Sequence, residues 1–183
     1  MKTKKISFGA LFLALSLLIP QIFHQIGYLQ AGETLLPMHL PIFLCGLLLG
    51  GLYGGFVGAV APVLSFLLTG MPPLTVMVFM SIELAVYGLV TGLCLQRGFV
   101  TKAHGIWLAL VFAMIAGRLV KLIAIYLAFH LFSISVGGVE TVVTATLTGL
   151  PGILLQLFLI PLIVKKLERN GYLHDLRKVA DRI

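Results

Sequence analysis

Between Met38 and Thr69 the chain stays hydrophobic for about 30 residues, interrupted only by the glycine cluster Gly50, Gly51, Gly54 and Gly55. One bilayer crossing takes roughly 20 residues, so this run is too long for a single span and too apolar for an ordinary soluble fold. The rest of the sequence is similar: 60% of its 183 residues are hydrophobic and 10% are charged, with a mean hydropathy of +1.11. Soluble domains carry roughly 25% charged residues. The chain reads as an all-α integral membrane protein. Its length accommodates about six crossings and leaves no room for a separate soluble catalytic domain.

Splitting the long run at its glycines gives helices over 38–51 and 54–69, and Gly70-Met71-Pro72-Pro73 ends the second of them. Further helices are predicted over 6–23, 74–95, 105–132 and 142–164, with a loop over 24–37. The basic start followed by an apolar stretch also fits a secretory signal, but no small-x-small cleavage site follows Pro20, which favours a retained first helix. The predicted organisation is a compact bundle of six transmembrane helices over 1–166 and a short cytoplasmic amphipathic tail over 167–183. In that tail, Tyr172, Leu176, Val179 and Ile183 alternate with Arg177, Lys178 and Arg182.

The net charge of +7 does not mark a nucleic-acid surface, because the cations are scattered between hydrophobic runs. They fit the rule that cytoplasmic loops retain positive charge. With both termini inside, 11 of the 13 cations fall on the cytoplasmic side and none in the outer loops, which carry Glu33 and Glu140. The lipid bilayer is thus the first partner. Cys45 and Cys94 lie in separate apolar stretches and read as buried thiols with no redox role.

Arg118 and Lys121, the two remaining cations, sit inside the fifth predicted helix, and Glu83 sits inside the fourth. A charge at the centre of a span costs about 2.5–3.5 kcal/mol on insertion scales, so these three residues need partners or a wet cavity. Counting from the helix ends places all three near the midplane. Two arrangements are open. Glu83 and Arg118 form a structural pair while Lys121 snorkels outward, or one cation is left over and gives a pocket a net positive charge suited to a carboxylate.

On the outer side, His39 stands between Pro37 and Pro41, and His24 and His130 lie near helix ends. They lack paired metal-ligand spacing, so hydrogen bonding to a ligand or interfacial packing is expected, with no metal and no cofactor. Met71, in its proline turn, is placed to wall a pocket beneath the 24–37 loop. Small residues recur every fourth position at Gly46, Gly50, Gly54 and Gly58, at Gly88 and Gly92, and at Ala109, Ala113 and Gly117, a pattern that lets helices approach closely. Ala10 and Ala14 repeat it on the first helix, where a smooth face can receive another protein's helix. There is no Gly-x-Ser-x-Gly, His-Glu-x-x-His or Walker motif, so the chain does not read as an enzyme.

Several segments together resemble the S component, the substrate-binding membrane subunit, of energy-coupling factor (ECF) vitamin transporters. They are Ala10-Leu-Phe-Leu-Ala14, Leu36-Pro-Met-His-Leu-Pro-Ile-Phe-Leu44, Gly50 to Gly58, Pro62-Val-Leu-Ser-Phe-Leu-Leu-Thr-Gly-Met-Pro-Pro73, Glu83-Leu-Ala-Val-Tyr-Gly88 and Gly117-Arg118. The resemblance implies six helices around one vitamin-sized ligand in a bacterial plasma membrane, with the loop after the first helix closing over it. It also implies a complex with a membrane-embedded T component and two cytoplasmic ATPases, as in ABC importers. By the same resemblance Ala10 and Ala14 serve the partner interface, and His39, Glu83, Arg118 and Lys121, with Met71 and Tyr87, line or brace the ligand pocket. The proline-rich segments look most like the pantothenate or cobalamin-precursor branches, and the spare cation suits pantothenate. The competing reading is a multi-pass membrane scaffold or assembly protein with no small-molecule ligand.

Overall fold

The computed structural model of the protein describes residues 2–25, 31–97, 104–132 and 139–170. These form eight helices and no strand: α1 (Lys2–Gln25), α2 (Ala31–Leu35), α3 (His39–Leu49), α4 (Gly51–Thr69), α5 (Leu74–Gln96), α6 (Gly105–Phe132), α7 (Val139–Thr148) and α8 (Leu150–Arg169). Six segments among them are long and apolar enough to cross a membrane, with the region from α2 through α3 counting as one. The outward faces of α6 and α8 carry large apolar side chains such as Phe112, Leu119, Leu154 and Phe158, as a lipid-facing surface requires. Most of the tail expected over 167–183 and Lys102 of the charge count lie outside the described residues.

The centre of the bundle is α3, whose residues are all buried except Leu40. A helix that is apolar on every side must be surrounded, and α1, α4, α5 and α8 enclose this one. With 11 residues it is about 16 Å long, roughly half of a hydrocarbon core of about 30 Å. Its C-terminal end meets α4 on the side assigned as cytoplasmic, so His39 at its other end stands near mid-depth. The space beyond His39 is left to the short helix α2 and the hollow it borders.

The glycines expected to form the turn after α3 divide into two jobs. Gly50 alone makes the turn, with φ 97° and ψ 168°, a conformation closed to other residues. Gly54 and Gly58 continue within α4 as packing residues. There α4 and α5 approach until a side-chain carbon at Gly88 would collide with the Gly54 carbonyl, so the four-residue spacing is a helix–helix seam as predicted.

The sixth predicted helix, over 142–164, is instead two helices. Pro151 inside a continuous helix would lack an amide donor and press on the preceding turn. The chain breaks at Gly149 and starts again, which puts Pro151 in the first turn of α8, where no donor is needed. The freed segment becomes α7, a short helix on the outer side, and α8 continues to Arg169. The predicted loop over 24–37 likewise contains the short helix α2.

Candidate functional site

Three helices bring their polar side chains to one point. Glu83 and Tyr87 lie one turn apart on α5, and Arg118 and Lys121 share a face of α6. Close packing makes this meeting possible. Ala109 and Ala113 are buried on α6, and Gly117 has the Tyr87 ring against its α-carbon, so any side chain at 117 would displace that ring.

Glu83 is 1% exposed and uses both carboxylate oxygens. Its Oε1 accepts a 2.6 Å hydrogen bond from the Tyr87 hydroxyl and a 3.1 Å contact from Arg118 Nε. Its Oε2 accepts a 2.8 Å hydrogen bond from Lys121 Nζ. The structure thus combines parts of both arrangements expected from the sequence: Glu83 pairs with Arg118, and the cluster facing the cavity keeps a net positive charge. Lys121 does not snorkel outward and neither cation is left over, because one carboxylate is wide enough to take one cation on each oxygen. Two positive charges on one negative still leave the cluster at +1. Arg118 engages through Nε, so its four Nη–H donors lie outside that contact, and Lys121 retains two donors. Both cation side chains keep about 15% exposure while Glu83 keeps 2%, so the positive edge of the cluster is the accessible one.

His39 opens the short helix α3 against this cluster. It is buried, its ring lies 5.6 Å from that of Tyr87, and Phe43, one turn further along α3, stacks on Tyr87 at 5.0 Å. Its Nδ1 has no hydrogen-bond partner among the described residues.

The cluster faces a cavity of about 640 Å³. His39, Glu83, Arg118 and Lys121 form its polar floor, Gly32, Glu33 and Leu36 belong to the chain that covers it, and Met71 and Pro72 wall one side. The Met71 turn is fixed by Ser65, whose hydroxyl donates to the Met71 carbonyl at 2.8 Å, and by Gly70 in a left-handed conformation. Such a volume lies within the range of small-ligand pockets, roughly 300–1,000 Å³. A second hollow of about 420 Å³, mostly apolar, lies between α6 and the α7–α8 joint and shares Leu36, His39 and Arg118 with the first.

Five of the residues proposed from sequence, His39, Met71, Glu83, Arg118 and Lys121, line the main cavity. Tyr87 lines the second hollow and braces Glu83 from below. Ala10 and Ala14 line neither and are exposed on α1. His130 packs edge-on against Tyr126 and Phe129 on an exposed face of α6, and the side chain of His24 lies outside the described residues.

Sequence reasoning missed the opposite wall. Thr141, Thr144 and Thr148 of α7 line the cavity with Glu140 beside them, and Thr75 adds a hydroxyl at the start of α5. Their spacing of three and four residues is a legible helical stripe. It was obscured because 142–164 reads as one lipid-crossing helix.

The chain matches the family described as the ECF transporter substrate-specific component over residues 4–164. No curated protein and no solved structure matches it. With a family match over nearly the whole chain and six candidate crossings around a polar-floored cavity, the chain belongs to the substrate-specific components of ECF transporters.

Proposed function

We propose that the main cavity captures a small carboxylated vitamin from the outer side, with pantothenate the best chemical match, and that capture feeds an ECF importer containing a T component and two ATPases. The observation that carries this reading is the Glu83–Arg118–Lys121 cluster, which keeps a net positive charge, and cation donors outside its Glu83 contacts, at the floor of a vitamin-sized cavity. A carboxylate there receives charge-assisted hydrogen bonds in a site of low dielectric, where they are stronger than in water. The Thr141, Thr144 and Thr148 hydroxyls offer complementary contacts to the hydroxyl and amide groups of the same ligand.

Uptake of labelled pantothenate by cells expressing the chain together with T and ATPase subunits tests the proposal. Arg118→Ala is expected to weaken binding roughly 10- to 100-fold, the effect of losing about 1.5–3 kcal/mol of charged hydrogen bonding. Unchanged affinity in a folded variant would instead favour a scaffold whose charges only hold helices together. The partner face is tested separately. Ala10 and Ala14 expose a small-residue surface on α1, and Ala14→Trp is expected to abolish co-purification with the T component while sparing ligand binding. Co-purification at wild-type yield rejects that interface.

A further inference from the structure

The cover of the main cavity is tied to α8 at the Leu36 carbonyl. Leu36, between α2 and α3, has φ 49°, a left-handed conformation that a bulky apolar residue rarely adopts. Its carbonyl oxygen accepts two hydrogen bonds, one from the His39 backbone N–H at 3.0 Å and one from Nε2 of Gln156 on α8 at 3.1 Å. Gln156 is 1% exposed, and its Oε1 has no partner among the described residues. Burying an amide with one end unpaired is unfavourable, so the bond to Leu36 is what distinguishes glutamine from leucine at this position.

Two glycines complete the seat. One turn before Gln156, a side-chain carbon at Gly152 would stand 2.6 Å from the Leu35 carbonyl carbon and oxygen and 2.7 Å from the Thr34 carbonyl oxygen. A carbon at Gly149 would stand 2.9 Å from Cδ1 of Leu36. The covering backbone therefore rests directly on α8, and the seat coincides with the α7–α8 joint.

We infer that Gln156 is a positioning residue for capture: with Gly152 it seats the Leu36 end of the cover, and loss of its bond lets the left-handed residue relax and the cover lift. The inference rests on the reading of the main cavity as the ligand chamber. Gln156 shares the second hollow with His39 and Arg118, and its hydrogen bond goes to Leu36, whose carbonyl also fixes the first turn of α3 and so His39. From the seat, α8 runs as one helix to Lys166 and Arg169 on the side assigned as cytoplasmic.

Hydrogen exchange followed by mass spectrometry on the full chain in nanodiscs, comparing wild type with Gln156→Leu and Gly152→Ala, tests this without needing a ligand. One variant removes the bond and the other wedges the backbones apart. Both are expected to speed exchange in peptides covering 31–39 about tenfold while leaving peptides covering 105–113 of α6 unchanged. Tritiated pantothenate is expected to leave both variants about tenfold faster than wild type. Unchanged exchange over 31–39 overturns the seat, and so does an equal loss of protection in α6, which marks general destabilisation. Acceleration in Gly152→Ala but not in Gln156→Leu overturns the role of Gln156. If tritiated pantothenate fails to bind wild type, the proposed ligand falls while the exchange comparison still decides the seat.

Discussion

The α4–α5 seam and the α7 wall border the same interior but are built in opposite ways. Along the seam, Gly54, Gly58 and Gly88 bring two backbones into contact, and Val57, Ala61 and Leu84 are buried beside them. Along α7, Thr144 and Thr148 face a hollow, and a small cluster of Val142 with Phe79 and Ile125 anchors the helix. Close-packed backbones have one arrangement, whereas a short helix with few buried apolar contacts opens at a lower free-energy cost. The contrast separates a frame that fixes Glu83 from a wall held by fewer buried apolar contacts.

The largest effect is expected where α5 of the frame is tied to α6 by the buried charge cluster. Glu83→Ala leaves Arg118 and Lys121 without their counter-charge and should cost about 3 kcal/mol, the lower end of the range for broken buried pairs because both cations keep some exposure. A drop of many degrees in melting temperature in nanodiscs is the expected result, and a change within error would mean that α6 is held by packing alone. Gly88→Ala probes the frame by itself. Its added methyl meets the Gly54 carbonyl, and overpacking of this kind costs about 1–3 kcal/mol. The same measurement should show a smaller drop than for Glu83→Ala, and a wild-type melting temperature would show that the seam can spread.

The frame was the legible part of the sequence. Glycines at four-residue spacing, the cation count and the prolines after Gly70 all act through local rules, and they placed five helices and the meeting of Glu83, Arg118 and Lys121. What could not be read depended on tertiary competition. A proline at 151 allows either a kinked long helix or a break, and the outcome turned on whether α7 had a surface to rest on. Two cations sharing one carboxylate depends on the rotation of α6 about its axis, which spacing along one helix does not fix. The Gln156 contact joins residues 120 positions apart, and no periodicity reports it.

The smallest predicted effect bears most directly on the wall. Thr144 faces the cavity from α7 and is exposed there, so Thr144→Val removes a hydroxyl while keeping the shape of the side chain. Away from the packed seam such a change should alter stability by no more than about 0.5 kcal/mol. If the hydroxyl contacts a bound solute, its loss should weaken binding by about 0.5–1.5 kcal/mol, roughly 2- to 10-fold. Calorimetric binding beside a melting curve separates the two readouts. A weaker ligand with an unchanged melting temperature is the signature of a wall that reads the solute. Unchanged binding would move recognition to the floor and reduce α7 to a spacer. A large loss of stability would erase the contrast between frame and wall, because it would show that α7 is packed as firmly as the seam.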